Sequence, residues 1–218
     1  MVSGSSTKTT QLDAEITALK RKETKSVVVL VSGGPDSAAV AMKMREIGYS
    51  VHGLFIDYGQ AAFDVENEVV EDYAKTLGFT SMTCVKARIP FWKIPKSAKT
   101  DEEGWIPGRN TIFMALAAIF AKSIDADGIA IGFMTDDLGV FGDNNLTHHL
   151  LIQTLMSLSL SSYMKVFLPI KHMTKGEVLD YVKDVVTVSC WFPIIKDGRI
   201  VVCGECPNCV ERMKYENI

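Results

Sequence analysis

Four cysteines near the C-terminus carry the spacing that metal chemistry needs. Cys190, Cys203, Cys206 and Cys209 form the pattern C-x12-C-x2-C-x2-C. Thiolates at such short spacing can fold around one cation, and four of them suit a closed, tetrahedral, structural zinc site. The last three alone would also suit an iron–sulfur cluster, with four-cysteine zinc the better match. A second candidate is the string SGGPDS, Ser32 to Ser37, directly after a run of valines. Gly33 and Gly34 permit positive φ and put no Cβ in the way of a ligand. Backbone N–H groups at such a turn, with a helix N-terminus behind them, make an anion site. The hydroxyls of Ser32 and Ser37 add donors. Pro35 fits the first helical turn, where its missing N–H is no loss and its fixed φ stiffens the turn. The string is not a Walker A loop, having no Gly-Lys-Ser/Thr, and it is not G-x-G-x-x-G. By itself a Ser-Gly-Gly would also serve as a plain strand-to-helix turn. A third candidate is PGRN, residues 107–110, which sets the rigid donor fork of Arg109 on a turn and suits phosphate or carboxylate. Taken alone, Arg109 reads equally as a surface residue.

These residues need elements to position them. Ser26–Val31 is an apolar run of strand length without polar alternation, which fits a strand buried on both faces of a parallel sheet. Residues 37–47 read as a helix stopped by Gly48, 49–56 as a strand, and 63–77 as a helix with Val65, Val69, Val70, Tyr73 and Leu77 on one face. Residues 81–85 read as a third strand, and 86–108, with three prolines, as a long loop. An apolar helix over 111–123 is expected with Asn110 as its cap. A strand at 128–133, a helix from about 146 to 161 and a strand at 166–170 follow. Thr174-Lys175-Gly176-Glu177 has capping-box spacing, ahead of a helix ending near Asp184. Leu12, Ile16 and Leu19 suggest a short helix near the N-terminus, after a disordered start. Cys84 reads as a buried structural thiol. His148 and His149, at a helix start, read as capping or surface residues. The β-α alternation predicts an α/β doubly wound parallel sheet, with ligands at the carboxyl ends of the strands. The expected division is a tail with a short helix (1–25), the α/β domain (26–186) and a cysteine-bearing C-terminal segment (187–218).

Composition excludes some functions. The chain has 218 residues, 47% hydrophobic and 22% charged, enough for a sizeable core. A formal net charge of −3 provides no cationic surplus for wrapping nucleic acid. No apolar run is long enough to span a membrane, and the polar start MVSGSSTKTTQ lacks a signal-peptide core. Cysteine clustering fits a reducing compartment, so a cytoplasmic protein is expected.

The full S-G-G-x-D-S string after a buried strand resembles the signature of the PP-loop ATP pyrophosphatases. With DYGQ (57–60), PGRN and CGECPNC (203–209) in this order, the chain from about Ser26 to Arg212 resembles the QueC family of 7-cyano-7-deazaguanine synthases. The resemblance implies a Rossmann-like PP-loop fold, a structural Zn²⁺ on the four cysteines, and ATP with Mg²⁺. It implies ATP contacts from Val31, Ser32, Gly33, Gly34, Pro35, Asp36, Ser37 and Ala38, and from Asp57, Tyr58, Arg109 and Lys175. Asp36, Ser37, Arg109 and Lys175 are the implied catalytic set. Gly59, Gln60, Asn110, Thr135, Asp136 and Asp143 are implied on the substrate side. The implied reaction is adenylation of the carboxylate of 7-carboxy-7-deazaguanine, coupling to ammonia, and dehydration of the amide to the nitrile. The resemblance also suggests a homodimer. The stretch DLGVFGDNN, residues 137–145, keeps Gly139 and Asp143 but not the family's aromatic–proline pair, cysteine and arginine. Two alternatives therefore stay open: amide coupling of the same carboxylate to a protein or peptide amine, as in antiphage defence, and a catalytically silent nucleotide- or partner-binding module.

Overall fold

The computed structural model describes residues 25–134 and 141–216. The expected N-terminal helix and the pair Thr135 and Asp136 lie outside the described residues. In chain order the elements are β1 (Ser26–Val31), α1 (Pro35–Glu46), β2 (Ser50–Asp57), α2 (Phe63–Thr76), β3 (Ser81–Lys86), α3 (Asp101–Gly104), α4 (Arg109–Ser123), β4 (Gly128–Ala130), α5 (Leu146–Ser159), β5 (Lys165–Phe167), α6 (Lys175–Tyr181), β6 (Ile194–Lys196), β7 (Arg199–Val201) and α7 (Pro207–Glu216).

Five strands form one sheet in the order β3-β2-β1-β4-β5, and every pairing is parallel. This is the expected doubly wound α/β architecture. Its cause is visible in β1. Val27, Val29 and Val31 enter the core cluster that holds α1, α2 and α6, while Val28 enters the cluster of α4 and α5 on the other face. A strand covered on both faces has no polar side to alternate with, hence the unbroken valine run. The chain winds outward through β2 and β3, then returns to place β4 beside β1. α1, which follows β1, and α5, which follows β4, pack on opposite faces of the sheet, so a crevice opens at the carboxyl ends of these strands.

Several local expectations shift. α1 begins at Pro35, two residues early, with Pro35 at its start as its fixed φ allows. Gly108, not Asn110, precedes α4, and Asn110 lies within its first turn. The loop 86–108 contains the single-turn helix α3, capped by the Thr100 side chain. The capping box of Thr174 and Glu177 is present, though α6 ends at Tyr181. β4 is half the expected length. Cys84 is exposed, because β3 is an edge strand. The hairpin β6–β7 and helix α7 were not anticipated. The hairpin's turn, Asp197-Gly198, has φ of 51° and 71°, the positive pair of a two-residue type I′ turn. Val188, Cys190, Cys206 and Cys209 join the same core cluster as α1 and α2, so the C-terminal segment packs onto the sheet layer rather than standing apart.

Candidate active site and metal centre

A cavity of about 380 Å³ opens at the β1/β4 crevice. Its one wall is the turn after β1. Gly33 has φ +74°, a conformation that side-chain-bearing residues rarely adopt, and a Cβ there would crowd the backbone Cα and O of Glu66 at 3.3 Å. The Ser37 hydroxyl donates to Gly34 O (3.0 Å), accepts from Ser32 N (3.2 Å) and meets the Tyr73 hydroxyl at 3.1 Å. Burial raises the Tyr73 pKa, so Tyr73 stays a phenol and donates. Ser37 thus ties the turn into shape from beneath. Val31, Ser32, Gly34, Pro35, Asp36 and Ser37 line the cavity, whereas Gly33 and Ala38 lie behind it.

Two cations face this turn. Lys175, first residue of α6, reaches both Asp36 carboxylate oxygens, at 2.9 and 3.0 Å. Arg109 lies 5.6 Å from the ring centre of Tyr58 and 5.9 Å from that of Phe113, and its Nη1 donates to the Tyr58 hydroxyl at 3.4 Å. Aromatic faces hold a guanidinium without neutralising it. Among the described residues Arg109 has no carboxylate partner, so its charge is left for a ligand. It is a cavity residue, not a surface arginine.

The DYGQ turn is fastened to itself. Asp57, 1% exposed, accepts from Gly59 N (3.0 Å) and pairs with Arg88 at 2.9 Å. The Gln60 side chain accepts from Tyr58 N (3.0 Å) and donates to Ile56 O (3.2 Å) and Glu66 (3.0 Å). Tyr58 and Gln60 line the cavity, whereas Asp57 and Gly59 do not. Glu66 also lines it, and sequence reasoning missed it. Burial pushes its pKa up to about 7, against the pull of the Gln60 hydrogen bond and the Arg109 charge. Its signal was an acid followed by Val69, Val70 and Tyr73 at helical spacing, a charge set on the apolar stripe of α2.

Asn110, in the first turn of α4, lines the cavity beside Arg109. Asp143, behind it, accepts from Asn110 N at 3.3 Å and from Trp105 Nε1 at 3.4 Å. Asp143 therefore serves an orphan N–H of α4 from another segment, which is why Asn110 need not cap the helix. Trp105 also stacks on Phe141, with ring centres 5.0 Å apart. His149 lines the cavity too, and is 3% exposed, neither a cap nor a surface residue.

The C-terminal segment closes a third side with Val188, Ser189, Trp191, Phe192 and Asn208. Its cysteines account for its order. The Sγ atoms of Cys190, Cys203, Cys206 and Cys209 lie within 4.8 Å of one another, and Cys203 and Cys209 are 3.9 Å apart. A tetrahedron with ~2.3 Å metal–sulfur bonds has edges of about 3.8 Å, so the four thiols can hold one metal ion. Backbone N–H groups of Phe192 and Cys203 donate to Cys190 Sγ (3.4 and 3.2 Å), and Cys206 N to Cys203 Sγ (3.4 Å), as thiolate charge requires. Arg212 of α7 donates to Thr187 O (2.9 Å), and Glu211 approaches Lys175 at 3.9 Å. The cysteine cluster and the cavity are thus adjacent parts of one packed unit.

No helix among the described residues is long and apolar enough to cross a membrane. Comparison with known proteins agrees with this arrangement. The solved U34-tRNA thiolase NcsA of Methanococcus maripaludis, which carries a [4Fe-4S] cluster, superposes with a TM-score of 0.53 at 13% identity. That match covers 78% of this chain and 61% of that one, and shows a shared fold. The 7-cyano-7-deazaguanine synthase of Rickettsia bellii is 30% identical over 87% of this chain and 92% of its own. That of Thermoplasma acidophilum is 27% identical over 88% and 87%. The sequence model described as "Queuosine biosynthesis protein QueC" matches residues 26–217, from the first residue of β1 past the end of α7. With the glycine turn, the two facing cations and the four-cysteine cluster all inside that span, the chain belongs to the QueC family.

Proposed function

We propose that this protein is an adenylating C–N ligase that converts 7-carboxy-7-deazaguanine to 7-cyano-7-deazaguanine. The observation that carries the reading is the convergence of Lys175, Arg109 and the Ser32–Ser37 turn on one cavity. A carboxylate is a poor electrophile because its leaving group would be oxide. In the first step a carboxylate oxygen attacks the α-phosphorus of ATP and pyrophosphate leaves. Ammonia then attacks the acyl adenylate, and amide, AMP and a proton are released. In the second step the amide oxygen attacks a second ATP, pyrophosphate leaves again, and loss of AMP and a proton gives the nitrile.

In this reading the turn's N–H groups and the Ser32 hydroxyl hold the pyrophosphate, and Ser37 and Ala38 shape the turn. Lys175 and Arg109 balance the charge that develops at phosphorus. Asp36 would hold Mg²⁺, which would supply positive charge against the phosphates. Asp57 and Tyr58 belong to the nucleotide side of the turn after β2. Gly59, Gln60, Asn110 and Asp143, with Thr135 and Asp136, serve the deazaguanine. Zinc on the four cysteines would hold the C-terminal wall. α5 exposes Leu150, Leu151, Leu155 and Leu158, at 54, 64, 55 and 74%, an apolar stripe that supports a homodimer of cytoplasmic subunits.

The test supplies ATP, Mg²⁺, the deazaguanine acid and ammonia, and reads products by mass spectrometry. Nitrile with AMP and pyrophosphate is expected. Amide alone, or mass added to a protein or peptide amine, would shift the reading to amide coupling. No AMP with any amine would mark a silent binding module.

A further inference from the structure

Two acids line the cavity among the described residues, Asp36 and Glu66. Asp36 is paired with Lys175, whereas Glu66 is in no ion pair among the described residues. Its backbone packs against the glycine turn, since a Cβ on Gly33 would meet its Cα and O at 3.3 Å. Its side chain is held by Gln60. The Gln60 amide accepts from Tyr58 N (3.0 Å) and donates from Nε2 to Ile56 O (3.2 Å) and to Glu66 Oε2 (3.0 Å). Both amide hydrogens of Gln60 are thus engaged, so the amide is fixed and one oxygen of Glu66 with it. Oε1 is differently placed. Among the described residues, the sealed and unpaired polar side-chain atoms are the Nδ1 atoms of His148 and His149. Oε1 of Glu66 is not one of them, and no described group bonds it, so it keeps open surface on the cavity that Glu66 lines. A carboxylate with one oxygen anchored and the other open is oriented to take a proton from a bound group.

We propose that Glu66 is the general base of nitrogen transfer, taking a proton through Oε1 from ammonia as it displaces AMP from the acyl adenylate. The inference rests on the ligase reading and adds to it the base, which that reading leaves unassigned. The C–N bond forms, the C–O bond to AMP breaks, and its electron pair leaves on the AMP phosphate. The proton that the nitrogen sheds passes to the Glu66 carboxylate and then to water. The second round again takes a proton from that same nitrogen, so one base in one place serves both. The surroundings suit the task. Burial pushes the Glu66 pKa up to about 7, against the Gln60 hydrogen bond and the Arg109 charge, and a base works best near the operating pH. The groups that act on it are Arg109 on α4, Gln60 and Tyr58 in the turn after β2, and Tyr73 on its own helix. Burial raises the pKa of both phenols, so neither of them titrates near neutrality.

The experiment separates the two half-reactions in the unaltered protein and in Glu66→Gln, which keeps the shape and the contact with Gln60. Exchange of labelled pyrophosphate into ATP, with the deazaguanine acid and without ammonia, reads adenylation. Amide formation reads nitrogen transfer. Glu66→Gln should keep exchange within about threefold and lose amide formation by roughly 10²-fold or more. Hydroxylamine, a less basic amine that sheds its proton to water more readily, should lose much less than ammonia does. The unaltered protein gives a reading that needs no variant. Its amide-forming rate, taken per free ammonia, should rise about tenfold per pH unit below about 7 and level above, and Glu66→Gln should abolish that rise. Unchanged amide formation in the variant overturns the inference and leaves the ligase reading standing. So does an equal fall in exchange and amide formation, an equal loss with hydroxylamine, or a pH profile that the variant does not alter. An unaltered protein with no acid-dependent exchange overturns the ligase reading and this inference together.

Discussion

The two ends of the cavity are built by opposite rules. At the glycine-turn end every polar group already has a partner or a clear charge to offer. Asp36 holds Lys175, Ser37 holds the turn, and Tyr58 and Phe113 frame Arg109. Around Asn110 the Asp143 carboxylate is spent on Asn110 N and Trp105 Nε1, and what faces the cavity is the amides of Asn110 and Asn144 among apolar side chains. The first end is preorganised for a polyanion whose charge is fixed in advance. The second presents amides and apolar side chains instead. A nucleotide brings its own charge, so a turn and two cations suffice for it.

The sharpest way to break this contrast is at Asp36. Asp36→Ala removes the partner of Lys175 and the acid nearest the proposed Mg²⁺. AMP formation should fall by roughly 10³-fold or more, with an unchanged melting curve, since such charge-positioning groups contribute several kcal/mol to the barrier. Turnover within a few-fold of normal would remove the glycine turn from the chemistry.

Next in size is the metal centre. Cys206→Ser should lower bound metal to well below one per chain, by atomic emission, and lower the melting temperature, because metal affinity here is folding free energy. ATP affinity should fall too, since the cysteine segment places Ser189, Trp191 and Asn208 in the cavity wall. Full metal content with an unchanged melt would separate the cluster from the fold. A smaller loss is expected at Arg109→Lys, about tenfold in kcat/KM, because an ammonium cannot reproduce the planar fork held between Tyr58 and Phe113.

The last test reads stability rather than turnover, through its pH dependence. Glu66 titrates near 7 in the fold and at its ordinary 4.5 when unfolded. Between those values the unfolded chain is ionised while the folded one still holds the proton. Stability therefore falls as pH rises from about 4.5 to about 7, and is level above. Glu66→Gln keeps the hydrogen bond from Gln60 and removes the titration. The gap in unfolding free energy between variant and unaltered protein should widen across that window, by at most ~3 kcal/mol. Parallel curves would place Glu66 in water rather than in the wall.

What the sequence revealed of each end follows from the same contrast. The glycine turn was legible because its constraints are local. A strand ends, φ turns positive at Gly33, and a helix starts at Pro35, all within a few residues. The cysteine cluster was legible from spacing, and the paired capping groups of Thr174 and Glu177 from their own pattern. The surroundings of Asn110 were not. Asp143 satisfies Asn110 N from 33 residues away, which no local rule anticipates. His149 sits on a helix that is apolar on nearly all sides, so periodicity could not say that it faces inward. The β6–β7 hairpin does carry a local signal, Asp197-Gly198 between apolar runs, but it lies inside the twelve-residue gap of the cysteine pattern, where metal spacing is the stronger signal.

The central claim is that a carboxylate oxygen attacks the α-phosphorus of ATP held on the glycine turn. Its most direct test follows oxygen. With the deazaguanine acid labelled in both carboxylate oxygens with ¹⁸O, turnover in unlabelled water should give nitrile and AMP carrying one ¹⁸O in its phosphate. AMP without label, or ADP and phosphate as products, would contradict it.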